Sequence, residues 1–78
     1  MLHQSIQVKE FLVKDEPSFK LRIKQYQIPA TPELFSLDFV QENYDIKGNF
    51  TEASTYNFFL TKDQIATLCN NLIEQNGI

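Results

Sequence analysis

Seventy-eight residues, 42% of them hydrophobic and ten of them aromatic, suffice for one small domain spanning 1–78 and are too apolar for a disordered chain. Seven basic residues against ten acidic ones leave a net charge of −3, which argues against a protein that grips duplex DNA by neutralising phosphates. The lone Cys69 cannot close an internal disulfide, and a secreted domain this small ordinarily needs several, so the expected compartment is a reducing bacterial cytoplasm, with a phage or plasmid gene as one source.

No apolar run exceeds three residues, so neither a membrane span nor a secretory leader is expected. The start Met1-Leu2-His3-Gln4 also lacks the basic residues of a targeting segment.

The first predicted strand covers Ile6 to Lys14. Leu2, Ile6, Val8 and Leu12 fall in one phase, Phe11 and Val13 in the other, and Glu10 interrupts the first. Such a conflict predicts a β-bulge or a strand covered on both faces. Asp15-Glu16-Pro17-Ser18 reads as a turn, because proline can continue neither helix nor ladder. From Phe19 the alternation is unbroken, with Phe19, Leu21 and Ile23 on one face and Lys20, Arg22 and Lys24 on the other, a half-buried second strand.

Ile28-Pro29-Ala30-Thr31-Pro32-Glu33 is a connecting loop that leaves the strand order open. A third strand from Leu34 to about Asn43 points Phe35, Leu37 and Phe39 inward. A fourth from about Glu52 to Leu60 points Tyr56, Phe58 and Leu60 inward. Between them, Tyr44 to Thr51 makes a hairpin tip around Gly48-Asn49. Pairing Phe39 with Tyr56, Leu37 with Phe58 and Phe35 with Leu60 places all six on one face.

Thr61 and Gln64 form a capping box, flanked by Leu60 and Ile65 at hydrophobic-staple spacing. Ile65, Leu68, Cys69, Leu72 and Ile73 then trace one apolar stripe, and Gly77 is a plausible stop for a helix from Lys62 to about Gln75. The fold expected is α+β, a four-stranded antiparallel sheet in the order β-β-β-β-α, with the helix packed on one face against Phe35, Leu37, Phe58 and Ile23.

Catalytic chemistry finds little material. Cys69 sits in the apolar stripe, where a thiol behaves as a small hydrophobe, and His3 stands in a terminal segment. One Cys and one His make no zinc site, no acidic loop has calcium spacing, and no glycine-rich phosphate loop occurs, so neither enzymatic activity nor a cofactor nor a metal is expected. Exposed carboxylates read as solvated or cross-strand paired, with Asp38 opposite Arg22 if the second and third strands pair in phase.

Two surface features exceed what a one-core domain requires. The outward sheet face carries Tyr26, Ile28, Val40 and Phe59 beside the basic row, and the hairpin tip carries Tyr44, Ile46 and Phe50. Apolar residues flanked by polar ones suit a protein-binding patch, so the primary expectation is a non-enzymatic binding module, a homodimer or a small accessory or inhibitor protein.

The alternative is a single-strand nucleic-acid binder, with Lys20, Arg22 and Lys24 meeting phosphates beside stacking aromatics. The order β-β-β-β-α, with a basic alternating strand and a helix opened by Leu60-Thr61 and Gln64, superficially resembles the positive-cofactor-four type of coactivator domain. Dimers of that family hold single-stranded DNA, which is what the resemblance implies here. The chain lacks that family's tryptophan after the helix start and its Gly/Lys-rich approach to the last strand.

Overall fold

The computed structural model describes residues 5–72, in which β1 (Ile6–Glu16), β2 (Phe19–Gln27), β3 (Leu34–Tyr44), β4 (Phe50–Thr61) and α1 (Lys62–Leu72) follow in chain order. The strands form one antiparallel sheet in the order β1-β2-β3-β4, so every connection is a hairpin between neighbours. The expected α+β architecture of four antiparallel strands and one C-terminal helix is present. The Pro-rich segment makes no crossover.

Turn chemistry explains each reversal. Pro17 and Ser18 are the only residues between β1 and β2, so Asp15 and Glu16, expected in the turn, belong instead to the ladder opposite Lys20 and Phe19. The second connection is two consecutive turns, closed by Thr31 N–H to Ile28 C=O at 2.9 Å and Leu34 N–H to Thr31 C=O at 2.9 Å. Pro29 and Pro32 each follow the first residue of a turn, where their fixed φ is favourable. At the third, Gly48 takes φ +87° in a tip shortened to Asp45–Asn49 by the longer reach of both strands.

Register places the side chains. Phe35↔Leu60, Leu37↔Phe58 and Phe39↔Tyr56 pair as the alternation predicts. β1 carries two register shifts, at Val8 and at Val13, each adding an unpaired residue that flips the phase of those that follow. These bulges resolve the conflict in β1 and bring Phe11 opposite Ile23. One predicted pairing fails. Arg22 stands opposite Val40, and Asp38 stands opposite Lys24, because the two-turn connection sets a register two residues away from the one that would join Arg22 to Asp38.

Directly paired residues share a face, so the sheet has one apolar side and one polar side. The apolar side is built from Ile6, Phe11, Phe19, Leu21, Ile23, Phe35, Leu37, Phe39, Tyr56, Phe58 and Leu60. Helix α1 does not cover it. Its packing is confined essentially to the end of β4, and no helical residue is buried. Leu68 and Leu72 of the expected seam are exposed, the latter by 70%, and Cys69 is exposed instead of lying in a core.

The reason is the junction. Thr61 is still in the ladder opposite Leu34 while Lys62 already opens the helix, so no loop residue exists to turn α1 back over its own sheet. The molecule is accordingly a slab of 47 × 43 × 16 Å whose only buried residues, among those described, are Leu37 and Ser36. The expected helix end at Gln75 to Gly77, with Ile73, lies outside the described residues, as do Leu2 and His3.

The helix start is fixed reciprocally. Thr61 N–H donates to Gln64 Oε1 at 2.9 Å and Gln64 N–H to Thr61 Oγ1 at 3.2 Å, the capping box expected from these two residues. Lys62 N–H donates to Glu33 C=O at 3.1 Å, which ties the helix start to the second connection. Thr61→Ala removes one orphan-donor partner and should cost about 1 kcal/mol of helix stability. Loss of ellipticity at 222 nm, with weakened amide protection confined to residues 62–65, is the expected signature.

Candidate functional site

The polar side of the sheet is organised around Arg22. Its guanidinium donates to Glu10 Oε2 at 3.2 Å on β1 and to Glu42 Oε1 at 3.3 Å on β3, so one cation links three strands. The Glu42 hydrogen bond, more than any other contact, holds the Arg22 pKa above its already high ordinary value. Lys20 pairs with Asp15 and lies 5.7 Å from the Tyr44 ring centroid. Lys24 sits between Glu10 and Asp38 in the cross-strand rows. Of the expected nucleic-acid row, Lys20 and Arg22 are therefore already neutralised by carboxylates of this chain.

The expected partner-binding residues divide into two groups. Tyr26, Ile28 and Phe59 stand at one end of the polar side, where Ile28, Leu34 and Phe59, with Ser36, Asn57 and Thr31, line a hollow of about 410 Å³. Asn57 closes the floor of this end, its amide donating to Ser36 Oγ at 2.7 Å and to Asp38 Oδ1 at 2.6 Å. This network satisfies the buried Ser36 hydroxyl, which would otherwise be costly in so apolar a row.

Tyr44, Ile46 and Phe50 occupy the opposite end, some nine residues along β4 and thus about 30 Å away. Val40 stands alone between Arg22 and Thr55. The geometry brings these residues to one side of the sheet but does not join them into a patch.

At the tip, Tyr44 and Phe50 meet edge to face at 5.9 Å, and Tyr44 Oη donates to Glu42 Oε1 at 3.1 Å. Partial burial and the Glu42 carboxylate together hold the Tyr44 hydroxyl above its usual pKa. Only Ile46 projects fully, 98% exposed. Asp45 shapes the loop, accepting backbone N–H groups of Asn49 at 2.8 Å and Lys47 at 2.9 Å. These bonds, that of Asn49 foremost, hold its carboxyl below the usual range.

The apolar side offers more surface than either group. Phe58 is 52% exposed and Tyr56 and Phe11 nearly as much, although Phe39 and Phe58 pack edge to face at 5.8 Å. Around this area, Lys9, Lys14, Glu16 and Glu52 supply charge only on the outer strands β1 and β4. The sequence pattern places Phe39, Tyr56 and Phe58 in a core and leaves the face of Phe11 open. The alternation that identifies an apolar face carries no information on whether the covering layer belongs to the same chain.

Among the described residues, no group of three His, Cys, Asp or Glu side chains could hold a metal ion, and no helix is long and apolar enough to cross a membrane. Comparison with known proteins finds no matching family model, no matching curated protein and no matching solved structure.

The Asp45 bonds give a pH signature. Because its folded-state pKa is depressed, the stabilisation is complete above the ordinary value of 3.8 and is lost as the pH falls through the lowered folded value. Asp45→Asn should flatten the acid limb of a melting-temperature profile between about pH 5 and 2 while leaving the neutral plateau lower than that of the parent. An unchanged acid limb would show that Asp45 does not organise the tip.

Proposed function

We propose that this chain is a non-enzymatic protein-binding module, acting as a small accessory or inhibitor protein, and that its apolar sheet side is the principal docking surface. One observation carries the reading. A four-stranded sheet with eleven apolar side chains aligned on one side has no second layer among the described residues, and its buried core is a single leucine with a neighbouring serine. Stable domains bury such a face against another element. Exposed contiguous apolar surface rimmed by charge is the composition of a protein interface, aromatic at its centre and charged at its edge. The hollow lined by Ile28 and Phe59 and the projecting Ile46 are secondary contact points on the opposite side.

A paired substitution tests this assignment. Phe58→Glu places a charge in the apolar side, and Thr55→Glu places the same charge on the polar side of the same strand. Affinity capture from the cells that express the protein should recover a stoichiometric protein, another polypeptide or a second copy. Phe58→Glu should weaken its retention at least tenfold, and Thr55→Glu should leave it unchanged. Absence of any stoichiometric protein, or equal loss in both variants, counts against the proposal.

Single-strand nucleic-acid binding remains the second reading, supported by the aromatics beside the basic row. The ion pairs of Lys20 and Arg22 weigh against it, since phosphates would have to displace carboxylates already in place. An oligo-thymidine titration at about 50 mM salt, where counterion release favours binding, is expected to show none.

A further inference from the structure

We infer that the apolar sheet side is covered by a second copy of this chain, each protomer laying its helix α1 across the sheet of the other. The inference rests on the protein-binding reading of that side and names its occupant.

The chain carries both halves of a missing two-layer core. One half is the uncovered apolar side of the sheet. The other is the stripe on α1, where Leu68, Cys69 and Leu72 are exposed and only Ile65, at the start of the helix beside the end of β4, is half-buried. Their dimensions correspond. The eleven described residues of α1 span about 16 Å, enough to cross the width of about 14 Å that four strands spaced about 4.8 Å apart present between the outer two.

The junction forbids the two halves from meeting within one protomer. With Thr61 in the ladder and Lys62 in the helix, and the capping box rigidifying both, α1 leaves the sheet instead of reversing onto it. A connection too short to fold back is the recognised condition for exchanging an element with a neighbour. A two-fold axis then satisfies both helices and both sheets at once, since each contact is reciprocated.

The chain exposes more surface than a compact one of its mass. A compact chain of 9.1 kDa exposes about 4,900 Å², whereas this one exposes 5835 Å². The surplus of roughly 900 Å² belongs to the flat shape as a whole, of which the apolar side is one broad face, and a specific dimer needs ~800 Å² per partner. The radius of gyration of 15.3 Å likewise exceeds the ~11.5 Å of a compact chain this long.

Sedimentation equilibrium of the full chain, with sheet and helix content checked by circular dichroism, tests the inference. The parent should sediment at twice the monomer mass at ~50 μM, within the range of standard-sized interfaces. Leu68→Glu on the helix and Phe58→Glu on the sheet should each raise the dimer Kd at least about 100-fold. An equimolar mixture of the two should recover dimer, because one of the two helix-on-sheet contacts is then intact. Lengthening the junction by Gly-Ser-Gly-Ser between Thr61 and Lys62 should convert the dimer to a monomer of unchanged secondary structure, as the helix becomes free to fold back.

A monomeric parent overturns the inference. So does a dimer indifferent to both Leu68→Glu and the insertion, or a pair of variants that fail to complement. A monomer that still captures another protein through Phe58 overturns the second copy as occupant while sustaining the binding-module reading.

Discussion

At Thr61 two kinds of backbone order meet without an intervening residue. Its backbone is held in the ladder opposite Leu34, its side chain caps the helix, and its N–H is occupied by Gln64. Each commitment is locally favourable, and together they remove the flexibility that a strand-to-helix reversal needs. The whole shape follows from this. The helix is directed by the strand it continues, the sheet keeps a bare side, and hydrophobic groups that would form a core in a domain with a longer connection stand in the open.

The sheet nevertheless has a well-determined register, supported by its polar side. Arg22 bridges Glu10 and Glu42, and Asn57 joins Ser36 to Asp38. Sliding β2 by one residue would exchange the two faces and break the Arg22 pairs, and sliding β4 against β3 would break those of Asn57. Exposed ion pairs contribute modestly to stability. Their placement here selects one alignment among those the apolar side alone would tolerate. Polar side chains thus decide register, and apolar ones decide which side of the sheet is which.

Much of this was legible in the sequence. The uninterrupted alternation from Phe19 and from Leu34 identifies strands and faces, and the Phe39–Tyr56, Leu37–Phe58 and Phe35–Leu60 pairs follow because a hairpin must keep its apolar residues together. Thr61 and Gln64 announced the helix start, since few other spacings let two side chains cap reciprocally. The doubled phase of β1 pointed to a bulge, although not to two. What escaped has a common cause. The Arg22 alignment depends on how two successive turns orient β3, and the exposure of Cys69 depends on the path of the chain at one junction. The site is less legible than the fold for the same reason. Tyr56 and Phe58 carry the pattern of a core, and only three-dimensional placement separates a core from an interface.

β1 forms one outer edge of the sheet, and its extra residues at Val8 and Val13 interrupt what would otherwise be a straight row of unpaired N–H and C=O groups along eleven residues. A regular edge so rich in Val, Ile, Leu and Phe, beside a bare apolar surface, would recruit further strands without limit. Bulges twist such an edge and spoil it as a template. A newly made chain with its broad side still uncovered is thereby steered away from strand addition along β1, which leaves β4, regular from Glu52 to Thr61, as the edge open to it.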